Sequence, residues 1–416
     1  MNTPAPRKVP LYGWILGAMV LGLMVGPLLG KSAAPLGELG KLVITLIKGV
    51  ATPLLFFAIV NAILQTEVRA RAGLRMLGFA TLNAAAALGL GLLISNLFRP
   101  GDHLAAAVSP PDAKALAAYA DKKVDLIQTL LSYIPSSVVT PFVENTVISI
   151  VLIAVLTGFG MRAVRSRQIA EGADGYRTVE AGITTLLGLA ETVLGWVITL
   201  VPLAVFGVVA KTVGEYGFAP MKGLAAYLAA GLIGLACHVL LTYQLWIVAW
   251  ARIPLRRFWS IAREPVVYAM GANSSLATLP VTLRALDRLG VSRSSSALGA
   301  CVGTNFNNDG ILLYEGMAVL FVAQASGLDL SLGQQLVAAG ICMVAAMGVA
   351  GVPEAGFVSL ALVLNTVGLP IELLPLLLTV DWVIARARSM VNVLSDMVLS
   401  ILIDTFEPSV RPEGAT

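Results

Sequence analysis

Charge is what this chain most lacks. Only 12% of its 416 residues are Asp, Glu, Lys or Arg, about half the share in a typical soluble domain, while 57% are hydrophobic. Mean hydropathy is +0.85, which argues against an ordinary water-soluble protein. Histidine occurs twice, at His103 and His238, too far apart in sequence for a zinc site. The three cysteines, Cys237, Cys301 and Cys342, lie in apolar segments without metal-ligand spacing and read as core packing. From two distant histidines no Ser-His-Asp, Cys-His or metal-ligand set can be assembled, so an enzyme is the weakest reading and no organic cofactor is implied. The net charge of +4 comes in short clusters without a continuous basic stripe, so no nucleic-acid partner is expected.

What is abundant is long apolar sequence. Hydrophobic windows fall near 11–30, 40–65, 76–98, 146–165, 178–212, 224–250, 296–326 and 373–404, matching the ~20 residues that cross a bilayer as a helix. Two further segments, 258–290 and 333–370, are too polar or too broken for ordinary spans. Arg7 and Lys8 precede the first window, which has spanning length and no A-x-A-like exit, so it reads as a first transmembrane helix and not as a cleaved signal. Arginine clusters follow the second window (Arg69, Arg71, Arg75), the fourth (Arg162, Arg165, Arg167) and the sixth (Arg252, Arg256, Arg257, Arg263). Arg284, Arg288 and Arg293 precede the seventh. Placing all of these in the cytoplasm leaves 99–145, with its Pro110-Pro111 break, on the outside.

The last window carries groups that a bilayer rejects. Asp381, Arg386, Arg388, Asn392 and Asp396 interrupt an otherwise apolar stretch, and Arg388, Asn392 and Asp396 are four apart, one polar stripe on a helix. A charge near mid-bilayer costs roughly 2.5–3.5 kcal/mol, so such residues face a cavity and handle a solute or ion. An arginine suits an anion and an aspartate suits a cation, which together point to a coupled transporter.

The C-terminal part repeats itself in kind. Segment 258–326 holds a hairpin-like piece with the polar tip Gly271-Ala272-Asn273-Ser274-Ser275, then a helix interrupted at Asn305-Phe306-Asn307-Asn308-Asp309-Gly310. Segment 333–404 holds a second broken piece around Gly348–Gly356, then the helix bearing Asp396. Paired interrupted segments point to a transporter site at mid-membrane, because free backbone groups are tolerated there only where they line a cavity. Glycine-rich helix packing accounts for the glycines, but not for Asn-Asn-Asp inside an apolar run. The fold class expected is therefore an all-α polytopic membrane protein, with eight transmembrane helices plus two re-entrant helical hairpins forming inverted repeats.

Four motifs, in order, resemble those of the glutamate/dicarboxylate:cation symporter family, also called dicarboxylate/amino acid:cation symporters. They are the tip Ser274-Ser275-Leu276-Ala277-Thr278-Leu279-Pro280, the break Asn307-Asn308-Asp309-Gly310, the second tip Gly351-Val352-Pro353-Glu354-Ala355-Gly356, and Arg388-Ser389-Met390-Val391-Asn392-Val393-Leu394-Ser395-Asp396. Leu97-Phe98-Arg99-Pro100-Gly101, closing the third helix, adds a weaker likeness in the first half. The resemblance implies scaffold helices 1–2 over residues 1–75 and a transport-domain helix 3 over 76–100. An extracellular loop with scaffold helices 4–5 would follow over 101–222. A transport domain over 223–405 would comprise helix 6, the first hairpin 258–290, helix 7, the second hairpin 333–370 and helix 8, with 406–416 a cytoplasmic tail. It also implies a homotrimer in the bilayer of the inner (plasma) membrane, moving its cargo by an elevator-like motion.

Sodium is the cation the resemblance implies, and a hard cation wants carboxylate and carbonyl oxygens. A first site would map to Gly303, Asn307, Asn392 and Asp396. A second would use the backbone carbonyls of Asn305, Ala346, Met347 and Val349. A third would use Asn307, Asp309 and the third helix, where the usual Thr-Ser pair reads Asn83-Ala84 and Ala84 supplies no hydroxyl.

For a small anionic solute, the resemblance maps Arg388 to the distal carboxylate, with Ser275 and Asn392 at the other carboxylate. Asn273, Ser274, Val352, Gly356, Ala385 and Ser389 complete the lining. Guanidinium is the fork-shaped partner a carboxylate prefers. Where amino-acid-transporting members carry an aspartate for the substrate ammonium, this chain has Ala385, and Ile311 replaces the usual threonine. Burying an ammonium without a countercharge is costly, so a C4-dicarboxylate is expected. An acidic or neutral amino acid and a channel-like anion-conducting member are the alternatives. Arg386 sits about 200° around the helix from Arg388 and is expected to brace the first hairpin tip, as in animal glutamate transporters. Glu315 is implied to carry a proton, since a membrane-buried acid can exchange one near neutral pH. A structural acid bonded to the backbone is the equal alternative.

Overall fold

The computed structural model describes residues 11–65, 70–107, 134–346 and 355–406, and every regular element among them is helical. Helix α1 (Leu11–Leu29) passes through a 3-10 stretch (Gly30–Gly37) into α2 (Glu38–Gln65). Helix α3 (Ala70–Phe98) ends at Arg99 and a second 3-10 stretch (Pro100–Ala107). The short α4 (Thr140–Glu144) leads into α5 (Val147–Ala170), α6 (Gly175–Ile198) and α7 (Val201–Tyr216). Helix α8 (Ala219–Cys237) continues as π-helical turns over His238–Tyr243 and Trp246–Trp250.

Helices α9 (Leu255–Ala272) and α10 (Ser275–Leu289) pack against each other around the tip at Asn273 and Ser274. Asn273 has φ 50°, and asparagine is one of the few side chains that enters this left-handed region at low cost. Ser274 then caps α10, its hydroxyl accepting from the Ala277 N–H at 3.2 Å. The next helix starts as α11 (Arg293–Ser296), widens to a π turn (Ala297–Val302), tightens to a 3-10 turn (Gly303–Asn305) and breaks. It resumes as α12 (Asp309–Ala325). Helices α13 (Leu332–Ala345) and α14 (Ala355–Val367) pack against each other, and α15 (Leu374–Phe406) closes the chain.

The eight expected windows do not all map one to one. The fifth, 178–212, is split at Thr199-Leu200 into α6 and α7, because Pro202 lacks the N–H that would continue the helix and instead sits in the first turn of α7. Among the described residues, six stretches are long and apolar enough to cross a membrane, while α13 and α14 are shorter apolar helices. Large apolar side chains face outward all round, among them Trp14, Leu82, Phe159, Trp196 and Leu240. Such a surface is untenable in water and suits a lipid surround. This is a multi-pass membrane protein.

The helices pack in two sets that also meet each other, α14 against α2 and α15 against α7. Helix α1 packs along α7, and α2 along α5 and α6; α12 lies against α3 and α15, and α15 also meets α8, α9 and α10. The second group surrounds α12, which is buried along its whole length from Asp309 to Ala325. This half of the broken helix is thereby covered by protein, whereas the half before the break keeps exposed residues such as Ala297 and Cys301.

Candidate functional site

The break before α12 sits directly against α15. The N–H of Gly310, in the first turn of α12, donates to Asn392 Oδ1 at 2.9 Å, which satisfies one of the donors a helix start leaves free. A Cβ at Gly310 would lie 2.6 Å from the Arg388 carbonyl oxygen, so only glycine permits this approach. Asn308 Nδ2 donates to the Ala346 carbonyl at 3.2 Å, tying the end of α13 to the same point. The break, the end of α13 and the stripe on α15 thus meet at one place.

Two carboxylates and an amide are buried there. Asn307 and Asp309 are fully buried and Asp396 is 3% exposed. Asn307 Oδ1, Asp309 Oδ1 and Asp396 Oδ1 have no hydrogen-bond partner among the described residues, and neither has Asn307 Nδ2. Asn307 and Thr304 stand beside the Asp396 carboxyl, and Asp309 is within electrostatic reach of it. An unpartnered buried carboxylate oxygen is expensive, and two neighbouring acids repel unless something positive lies between them. Carboxylate, amide and backbone oxygens are the donor set of a hard cation, so these residues fit sodium. Gly303 lies one turn away and its carbonyl accepts from the Phe306 N–H at 2.8 Å.

The other expected cation ligands are placed less uniformly. Asn83 is fully buried, but its Oδ1 accepts from the Trp246 indole at 2.8 Å. Ala84 beside it is buried and apolar. Asp309 Oδ2 is held by three protein donors: Ser395 at 2.6 Å, Tyr243 at 2.8 Å and His238 at 3.2 Å. The backbone of Asn305 closes the 3-10 turn, and Ala346 offers its carbonyl as described. Met347, Val349 and Val352 lie outside the described residues.

Two turns up α15 from Asp396, Arg388 is 4% exposed. Its guanidinium pairs with Asp381 at 3.0 and 3.2 Å and stacks on the Tyr314 ring, 4.0 Å from its centroid. A Cβ on Gly356 would come 2.9 Å from Arg388 Nη1, so the start of α14 rests on this arginine. Ser389 donates to Asn273 Oδ1 at 3.3 Å, joining the α9–α10 tip to α15. Ser275, first residue of α10, is half-buried at the same tip, and Ala385 is buried on the α15 side. Glu315 is fully buried with neither oxygen hydrogen-bonded among the described residues; Ser359 of α14 and Arg388 are polar neighbours that act on it.

Arg386 occupies a different face. It donates to the Trp382 carbonyl at 2.7 Å and stacks on that ring. Together with Ile15, Val201, Asn273, Asp381 and Trp382 it lines a cavity of about 260 Å³ between α1, α7 and the α9–α10 tip.

Sequence reasoning did not find the partners. Asp381 lies seven residues before Arg388, two helical turns, so the same face was readable from spacing. Tyr314 and the Asp309 donors His238, Tyr243 and Ser395 come from other turns and helices, and no local spacing marks them.

The family model for the sodium:dicarboxylate symporter family matches residues 11–406. A C4-dicarboxylate transport protein of Anaeromyxobacter sp. (strain K) is 31% identical over 405 residues, covering 95% of this chain and 90% of the relative. One from Solibacter usitatus is 31% identical over 400 residues, covering 94% and 91%. A third, from Deinococcus deserti, is 30% identical over 416 residues, covering 98% and 91%. The chain belongs to the sodium:dicarboxylate symporter family.

Proposed function

We propose that this protein is a cation-coupled symporter of a C4-dicarboxylate. The observation that carries the reading is the arrangement on α15. Arg388 for an anion stands two turns from Asp396, which is buried near Asn307 and Asp309, and all three carry an oxygen without a partner among the described residues. The names of the three relatives supply the substrate class, and Ala385 supports it, since nothing at that position meets an ammonium. Arg388 holds one carboxylate, and Ser275 with Asn392 the other.

Coupling follows from shared parts. A sodium ion between Asp396, Asn307 and Asp309 fixes the break, and the break is fastened to α15 through Gly310 and Asn392. Substrate at Arg388 then meets a preformed surface, and by linkage each ligand raises the affinity for the other by the same factor. The architecture that goes with this reading has eight spans and two re-entrant hairpins, α9–α10 and α13–α14. The helices packed around α12 travel as a unit against a scaffold of α1, α2 and α5–α7, in a homotrimer of the inner membrane.

The cavity lined by Arg386 favours one second reading, an anion-conducting pathway between the two helix groups. One experiment separates the two. Purified protein in proteoliposomes is expected to take up labelled succinate only with an inward sodium gradient, and Asp396→Asn to abolish that dependence. Succinate flux that follows voltage and ignores sodium replaces symport with the pore.

A further inference from the structure

Asp309 is held in an unusual way. One oxygen, Oδ2, takes three hydrogen bonds from Ser395, Tyr243 and His238, while the other, Oδ1, takes none, although both are buried. The carboxylate is therefore anchored through one oxygen and leaves the other unpartnered, and its neighbour Asp396, with Asn307 beside it, also carries an unpartnered oxygen.

The anchor depends on a helical irregularity. His238 and Tyr243 are the first and last residues of a π-helical turn. In an α-helix, residues five apart point about 140° away from each other. The i→i+5 closure of a π turn returns them to one face, and here their rings meet edge to face with centroids 4.7 Å apart. Both then reach the same oxygen. A carboxylate only accepts, so His238 carries its proton on Nε2, and its Nδ1 has no partner among the described residues. The Tyr243 hydroxyl also lies 3.4 Å from the Val391 carbonyl, which fixes the ring between α12 and α15.

We propose that His238, Tyr243 and Ser395 are positioning residues for cation binding: they anchor Asp309 Oδ2 so that Oδ1 faces the cation shared with Asn307 and Asp396. This rests on the cation site proposed above. Outer partners of a ligating group set its orientation, and losing one typically weakens metal affinity about 10–100-fold. Plain fold support would have been met by donors on either oxygen. Three donors on one and none on the other is the arrangement of an oriented ligand.

The test is sodium titration of the thermal stability of the purified, substrate-free protein, with choline balancing ionic strength. Tyr243→Phe and His238→Leu are expected to raise the sodium midpoint about 10-fold or more, whereas His238→Gln, which keeps an N–H donor, stays within about threefold of the parent. A purely structural role lowers the sodium-free melting temperature and leaves the midpoint in place, and that result overturns the proposal. If a bulky replacement prevents folding, Ser395→Ala removes the 2.6 Å donor with little change of shape and is judged by the same midpoint. Asp396→Asn serves as the control. If it keeps the sodium response, the cation site itself is wrong. If it loses the response while Tyr243→Phe, His238→Leu and Ser395→Ala all keep the parental midpoint, the positioning role alone fails.

Discussion

Replacing Asp381 by Asn should tighten dicarboxylate binding while weakening the fold. Asp381 and Arg388 form an ion pair at 3.0 Å whose side chains are only 3% and 5% exposed. At an effective dielectric of 20, unit charges ~4 Å apart attract by about 4 kcal/mol, and that attraction is what a substrate carboxylate must share to reach the guanidinium. Asparagine keeps an oxygen for Arg388 Nη2, which now bonds Asp381 at 3.2 Å, and the Tyr314 stack is untouched. The arginine thus stays aimed but loses its resident anion. If a third of the attraction is transferred to the ligand, affinity rises about tenfold, or 1.4 kcal/mol. Without ligand the arginine is left underpaired, at a cost of up to about 3–5 kcal/mol in stability. Thermal shift reads both quantities: a lower melting temperature without succinate, and a larger shift at a given succinate concentration in saturating sodium. Asp381→Leu, which deletes the acceptor as well, should lose affinity. If Asp381→Asn binds succinate more weakly than the parent, Asp381 is no competitor for Arg388 but a part of how the ligand is held, and the reasoning fails.

Two further outcomes follow from the site. Glu315→Gln should leave succinate binding in place but flatten the dependence of uptake on external pH over about 5–8, the range in which a desolvated acid exchanges its proton; its neighbours are Arg388, Ser359, Tyr227 and Cys342, and a parental profile in the mutant removes Glu315 as a proton carrier. Ala385→Asp should shift competition against labelled succinate toward aspartate, because the new acid meets an ammonium and repels a second carboxylate, and Ile311→Thr restores a polar partner whose absence costs about 1–3 kcal/mol; aspartate outcompeting succinate in the parent protein refutes the weight placed on Ala385.

Much of this molecule is legible in one dimension because the bilayer simplifies the code. With water excluded, each apolar window must be a helix, and each polar residue inside one stands out. Arg388, Asn392 and Asp396 were visible as a stripe for that reason, and the Asn-rich break before Asp309 because nothing apolar needs it. The split of window 178–212 into α6 and α7 was less visible, since Pro202 sits in an otherwise unbroken apolar run, and proline is tolerated in membrane helices as either a kink or a start.

What the sequence hides is pairing across helices. Even within α15, spacing places Asp381 on the face of Arg388 without saying that the two pair, which the structure does. That pairing has a consequence for the whole site. Because Arg388 is neutralised within its own helix, the two remaining acids are left to be balanced by something else. His238 and Tyr243 are likewise unremarkable in an apolar segment at α-helical spacing, where they would face apart. The π turn brings them together on Asp309, and an inserted residue in a helix leaves no mark in composition or period. The one-sided anchoring of Asp309 leaves its other oxygen without a partner among the described residues, like Asn307 Oδ1 and Asp396 Oδ1, and Asp309 lies within electrostatic reach of Asp396. Two acids this near each other, each buried with an unpartnered oxygen, are costly when both are ionised; on the proposed reading, with the arginine paired to Asp381, a cation taken up from solution offsets that cost.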